Sequence, residues 1–189
     1  MSKDNQKIIY DLQATFNSLK DIHDPKFKNR IKGIVRLRVE GHFSKIAKEH
    51  LKKLLSHKNI YIQILAAEAL SDTRAFPNEV ITCLREFLEQ VMNNGYYNEC
   101  NCLLIIALKS LEKYKEKAIS AEKIIWNYIY AQKNHEIILK AIKIISWLSK
   151  ISSASWTILC LLCRHEDQII RDFSRNIMNS SDFKEHIVV

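Results

Sequence analysis

The chain predicts an all-α fold of stacked helix pairs, an α-solenoid, and three observations carry that expectation. The first is an internal period. Asn59-Ile60-Tyr61-Ile62-Gln63-Ile64-Leu65-Ala66-Ala67-Glu68-Ala69-Leu70 opens a helix. Matching starts stand at Asp24-Pro25-Lys26-Phe27-Lys28, Tyr97-Asn98-Glu99-Cys100-Asn101, Asn134-His135-Glu136-Ile137-Ile138 and Asp167-Gln168-Ile169-Ile170-Arg171. They lie 35, 38, 37 and 33 residues apart, the spacing of a unit made from two helices and a turn. The second is sparse punctuation: three Gly and two Pro in 189 residues suit long helices and exclude hairpin-rich β folds. The third is size: with 47% hydrophobic residues, a chain of this length fills the core of one domain. One domain over 1–189 is expected, with repeats near 1–42, 43–76, 77–117, 118–151 and 152–185.

Within each repeat the second helix shows its buried stripe by apolar residues three and four apart. The first copy has Phe27, Ile31, Ile34 and Val35; the second has Ile62, Leu65, Ala66, Ala69 and Leu70, with small Ala side chains allowing close approach. Cys100, Leu103, Leu104, Ala107 and Leu108 form the third stripe. Ile137, Lys140, Ala141, Ile144 and Ile145 form the fourth; Ile170, Phe173, Ser174, Ile177 and Met178 form a more polar fifth, as a terminal cap requires. The preceding helices are expected over Asp4 to Leu19, Ser44 to Leu55, Asn78 to Asn93, Ser120 to Gln132 and Ser153 to Arg164. Ser44 and Asn78 are candidate N-caps; Ser120 is another, although Lys123 stands where a capping box needs an acid or amide. Asp24-Pro25 places a side-chain acceptor before a ring suited to the first helical position, and Gly41 and Gly95 mark helix ends.

These starts resemble HEAT repeats. Asp24-Pro25-Lys26-Phe27-Lys28 and Asp167-Gln168-Ile169-Ile170-Arg171 are similar to the Asp-Pro-x-Val-Arg opening of the family's second helix, and Asn59 through Leu70 continues into its Ala-Ala-Glu-Ala-Leu ending. The resemblance implies a right-handed solenoid of about five antiparallel helix pairs, and a role in scaffolding or in binding proteins, less often nucleic acid. Gln63, Asn101 and Ile138 replace the family's basic ladder residue, so a continuous Asp–Arg ladder is not expected.

Charge is concentrated. Residues 1–58 carry 14 Lys and Arg against 6 Asp and Glu, whereas residues 59–189 carry 15 of each. In a quasi-linear fold this makes a positive end and a neutral remainder. If the second helices line a concave face, one exposed line per helix follows: Lys28–Lys32–Arg36, Gln63–Ala67–Ser71, Asn101–Ile105–Lys109, Ile138–Ile142–Ser146 and Arg171–Arg175–Asn179. Ordinary solvated helix faces would show the same residues. The first line stands apart because Lys26, Arg30 and Arg38 crowd the same helix, and Lys45, Lys48, Lys52 and Lys53 follow on the next. Partner-binding candidates are therefore Lys28, Lys32, Arg36, Gln63, Asn101, Lys109, Arg171 and Arg175. Trp126, Trp147 and Trp156 all lie in the neutral part, away from the basic cluster where stacking against nucleic acid would need them.

Reaction chemistry is sparse. Cys100-x-Cys102 and Cys160-x-x-Cys163, with His165 nearby, have zinc-like spacing, yet both pairs fall inside predicted helices. Trp156, Leu159, Cys160 and Cys163 share one helical face, as core thiols do. The odd count of five cysteines and the amphipathic N-terminal segment favour reduced thiols and a cytoplasmic location. No His-Glu-x-x-His, phosphate loop or Gly-x-Ser-x-Gly elbow occurs. His42, His57, His135 and His165 fall near helix junctions, where capping explains them. Some basic HEAT-like solenoids are glycosylases for alkylated DNA bases; Trp147 and Asp172 are the residues this chain would offer, without a flanking Arg pair. The expectation is thus a non-enzymatic module, without cofactor, metal or membrane partner, gripping an acidic protein. An inhibitor of the toxin-neutralising immunity type is one concrete form; a nucleic-acid binder is the alternative.

Overall fold

A computed structural model describes residues 21, 24–39, 45–94, 101–131, 134–146 and 153–179. Among them the chain is all-helical: α1 Phe27–Val39, α2 Lys45–Leu54, α3 Ile60–Asp72, α4 Pro77–Asn94, α5 Asn101–Tyr114, a 3-10 segment Lys115–Ala121, α6 Glu122–Ala131, α7 His135–Ser146, α8 Ser153–Leu162 and α9 Gln168–Asn179. The predicted helix Asp4 to Leu19, the candidate caps Ser44, Gly41 and Gly95, Cys100 and Trp147 lie outside the described residues. Among the described residues no helix is long and apolar enough to cross a membrane.

Among the described residues, the turns at Asn59, Asn134 and Asp167 that precede second helices are built the same way, which is why the period is visible there. Asn59 Oδ1 accepts from the Tyr61 and Ile62 amides at 3.0 and 3.4 Å. Asn134 Oδ1 accepts from Glu136 and Ile137 at the same distances, and Asp167 Oδ1 accepts from Ile170 at 3.0 Å. Each satisfies amides that the helix itself leaves unpaired. Asp24 departs slightly: its Oδ1 accepts from Lys26 N at 2.7 Å, closing a turn two residues ahead of α1, and Pro25 lies in that turn.

Two further cap expectations are corrected. Pro77, not Asn78, opens α4, since its fixed φ fits the first helical position and its missing amide costs nothing there. Ser120 lies within the 3-10 segment, and α6 starts at Glu122. The end of α3 also turns without glycine. Ala75 N bonds to Leu70 O at 3.1 Å and Arg74 N to Ser71 O at 3.0 Å, with Arg74 left-handed at φ 52°. This is the paired 6→1 and 5→2 closure of a helix C-terminus.

The contacts divide the chain into two compact units, Met1–Cys83 and Leu84–Val189. In the first, α3 packs against both α1 and α2. The core there includes Ile34, Leu37, Leu51, Ile62, Ile64 and Leu70. Arg38 ties α1 to α3 through Glu68 and Asp72, both at 2.7 Å, and Lys52 reaches Glu79 at 2.7 Å while lying over the Phe76 ring.

In the second unit, α7 packs against α5, α6 and α9, and α8 against α9. Glu112 and Lys143 join α5 to α7 at 2.6 Å, and His135 and Asp167 join the start of α7 to that of α9 at 3.2 Å. The alternate helices are linked as well: Tyr128 Oη donates to Leu88 O at 2.7 Å, and Ser155 Oγ accepts from Trp126 Nε1 and donates to Glu122. Helices of like order in successive pairs are therefore neighbours within this unit.

Two of the sequence stripes need rotating. Phe27 and Val35, expected in the core, are each 44% exposed, and Leu37 takes the inner position on α1. On α3 and α7 the lines expected at the surface are largely buried: Ala67, Ser71, Ile138 and Ile142 are all within 3% of full burial. A second helix with neighbours on several sides is covered around most of its circumference, so no single stripe defines its inside.

Asp167 combines a cap and an ion pair, and its carboxyl is held below the usual range. The Ile170 amide contributes most, against the opposing effect of burial, with the charge of His135 next. A depressed folded-state pKa adds stability above the unfolded value that disappears as pH falls through the folded one. Asp167→Asn keeps the cap acceptor but removes the charge, so it should lose less stability than wild type between about pH 4 and pH 2. Acid denaturation followed by circular dichroism checks this; identical acid limbs would show that Asp167 contributes no charge term.

Candidate binding surface

Helix α1 begins with the residues of highest positive density, and its geometry sorts them. Lys28 and Lys32 are exposed, four apart on one face, and neither has an ion pair among the described residues. Arg36 continues that face, but its Nη1 lies 2.7 Å from Asp21 Oδ2. Arg38 is more firmly held. Burial opposes its charge, but the Asp72 and Glu68 carboxylates outweigh burial and raise its pKa further. Arg30 donates through Nε to the Asp24 carbonyl at 2.5 Å. Thus the segment before α1 and helix α3 supply carboxylate or carbonyl partners for the arginines of α1, while Lys28 and Lys32 stay exposed. Lys26, Lys45, Lys53 and Lys58 are exposed in the same unit.

Gln63, the candidate on α3, is half-buried and structural: its Nε2 donates to His57 O at 2.6 Å. The other candidates belong to the second unit. Asn101 is half-buried at the start of α5, with a buried Oδ1 that has no hydrogen-bond partner among the described residues. Lys109 is exposed on the same helix. Arg171 Nη1 donates to His165 O at 2.7 Å and Glu166 O at 3.2 Å, and Arg175 Nε donates to Cys163 O at 3.2 Å. These two arginines satisfy carbonyls at the end of α8, a packing task that cations near a helix C-terminus commonly perform. Of the eight candidates, the structure leaves Lys28, Lys32 and Lys109 as exposed cations without a defined partner among the described residues.

The sequence reading missed two features of the first unit. Phe27 and Tyr61, both more than two-fifths exposed, meet edge to face with ring centroids 6.4 Å apart. The turn histidines also share a bonding pattern: His57 Nδ1 accepts from Asn59 N and His165 Nδ1 accepts from Asp167 N, each at 3.0 Å. The carbonyl of each accepts from the side chain six residues on, Gln63 or Arg171. A readable signal existed, since His57-x-Asn59 and His165-x-Asp167 stand at the same place before their helices.

Among the described residues no group of three or more His, Cys, Asp or Glu is placed to hold a metal. Cys102 is exposed, on the side of α5 opposite buried Leu104 and Leu108. Cys160 and Cys163 are half-buried, and burial foremost, then Cys160, pushes the Cys163 thiol pKa up, away from nucleophilic thiolate. Cys163 Sγ instead lies 3.2 Å from Met178 Sδ. Asp172 is exposed on α9. No protein-family model matches this chain, and no curated protein matches it.

Proposed function

We propose that this chain is a HEAT-like α-solenoid binding module, right-handed and non-enzymatic, that grips an acidic protein partner on a concave face. The observation that carries the reading is the exposed Lys28–Lys32 pair on α1, unpaired among the described residues while the arginines of the same helix are tied down. Like charges held together cost stability, and an acidic partner recovers that cost. The succession of helix pairs with a common turn supports a repeat architecture, and the location of the net charge in residues 1–58 supports a one-ended contact. An inhibitor that masks a partner's active site is the concrete form of this role, within the cytoplasm.

The test is capture from the native cell with the tagged chain, followed by affinity measurement on the purified complex. Lys28→Glu/Lys32→Glu should weaken the complex at least about tenfold at low salt and flatten its salt dependence. Equal capture and affinity by the variant would remove this surface from the contact. A nucleic-acid partner is favoured by one observation only, the exposed Phe27–Tyr61 pair beside the cations. It predicts a log-linear loss of affinity for single-stranded DNA or RNA with salt, sensitive to Tyr61→Ala.

A further inference from the structure

We infer that α1 and α3 form an apolar seam that seats a short acidic amphipathic helix of a partner protein, resting on the assignment of Lys28 and Lys32 to an acidic contact. The two helices run side by side in one direction. Phe27 meets Tyr61 at their starts, with ring centroids 6.4 Å apart, and Arg38 meets Glu68 and Asp72 toward their ends. Between those points Ile31 and Val35 follow Phe27 at four-residue steps on α1, and Leu65 follows Tyr61 by four on α3. Side chains four apart are neighbours on a helix surface. Phe27 and Val35 are each 44% exposed and Tyr61 47%, while Ile31 and Leu65 are half-buried. Apolar side chains exposed singly are ordinary, but a row of them across two packed helices marks a contact surface.

The border and the length of the seam define its occupant. Val35 stands three residues after Lys32 and seven after Lys28, so the exposed cations line the apolar row on the same side of α1. Helix α3 carries no Lys or Arg, and Arg38 is already matched by its two carboxylates. Unmatched positive charge therefore runs along one flank only, as an amphipathic partner with its carboxylates on one side requires. From Phe27 to Val35 the row covers eight residues, about 12 Å or two turns of helix. Side-chain ridges of a third helix fit the groove between two packed ones, with apolar anchors recurring three and four apart. Dehydrated apolar area at the centre of a contact retains a partner better than hydrated cations at its rim.

The probe is a fluorescein-labelled peptide rich in Ala and Glu, about four helical turns long, with Leu at three positions spaced four and three apart. A matched peptide carries Ser at those positions. Fluorescence anisotropy on the full chain should show saturable binding of the Leu peptide, at least about tenfold tighter than the Ser peptide. Tyr61→Ala should remove most of that preference and leave the Ser peptide unaffected. Val35→Ser repeats the test from α1 where the tyrosine variant loses helicity by circular dichroism. Lys28→Glu/Lys32→Glu should weaken both peptides by the same factor. Equal, charge-dependent binding of the two peptides would remove the seam and leave the cationic surface standing. A Tyr61-dependent Leu peptide indifferent to charge reversal would support the seam and remove the Lys28–Lys32 contact. No saturable binding of the Leu peptide, or an unchanged preference in both Tyr61→Ala and Val35→Ser, overturns the seam. Tighter, Tyr61-dependent binding of oligo-dT, or a Tyr61-dependent dimer in sedimentation, overturns it too, by assigning the surface to nucleic acid or to a second copy.

Discussion

Ile142→Ala should lower the unfolding free energy by about 3 kcal/mol, and Ile142→Asp should prevent the second unit from folding. Ile142 is fully buried on α7, the helix that touches α5, α6 and α9. Truncation there removes three carbons from water-free contact and leaves a cavity bounded by several helices, which cannot all move in to fill it. The aspartate adds an uncompensated carboxylate at the same point. Urea denaturation followed by tryptophan fluorescence reads both changes, because Trp126 is buried in the same unit. The prediction is sharp because sequence spacing placed Ile142 on an exposed line. A neutral Ile142→Asp would restore that placement.

Arg38→Ala comes next in size, with an expected loss of about 1–2 kcal/mol. The guanidinium bridges two carboxylates on α3, and Glu68 is only 9% exposed. Removing the cation leaves Glu68 charged, poorly hydrated and unpaired, which costs more than the pair contributes when intact. Arg38 itself is 38% exposed, so the loss falls below the ~3–5 kcal/mol of a fully buried pair. Arg38→Ala combined with Glu68→Gln should recover part of it, and a double-mutant cycle in urea measures the coupling. If the single variant is as stable as wild type, the α1–α3 bridge contributes nothing.

The helices themselves were legible because local chemistry repeats. Asn59, Asn134 and Asp167 each cap a second helix as their spacing implies, and the predicted first helices agree with α2, α4, α6 and α8 to within a few residues. The facing of α3 and α7 was not legible. Ala67 and Ser71 are small enough to be buried beside a neighbour or exposed to water, and Ser71 meets its own polar need by donating to Glu68 O at 2.7 Å. Ile138 and Ile142 widen an apolar face until periodicity no longer distinguishes inside from outside. On the binding surface, spacing brought Lys28, Lys32 and Arg36 to one face of α1. Spacing alone had no means of showing that Asp21 holds Arg36, or that Arg171 and Arg175 are engaged by carbonyls, since those partners are set by the folded turns.

Exposure of Lys28 and Lys32 has a kinetic consequence for the role proposed above. Charges that stay hydrated in a complex add little to its lifetime, but they act over a Debye length before contact. Their influence falls on the association rate rather than on dissociation, so the chain would capture its target quickly and depend on other, dehydrated contacts to retain it.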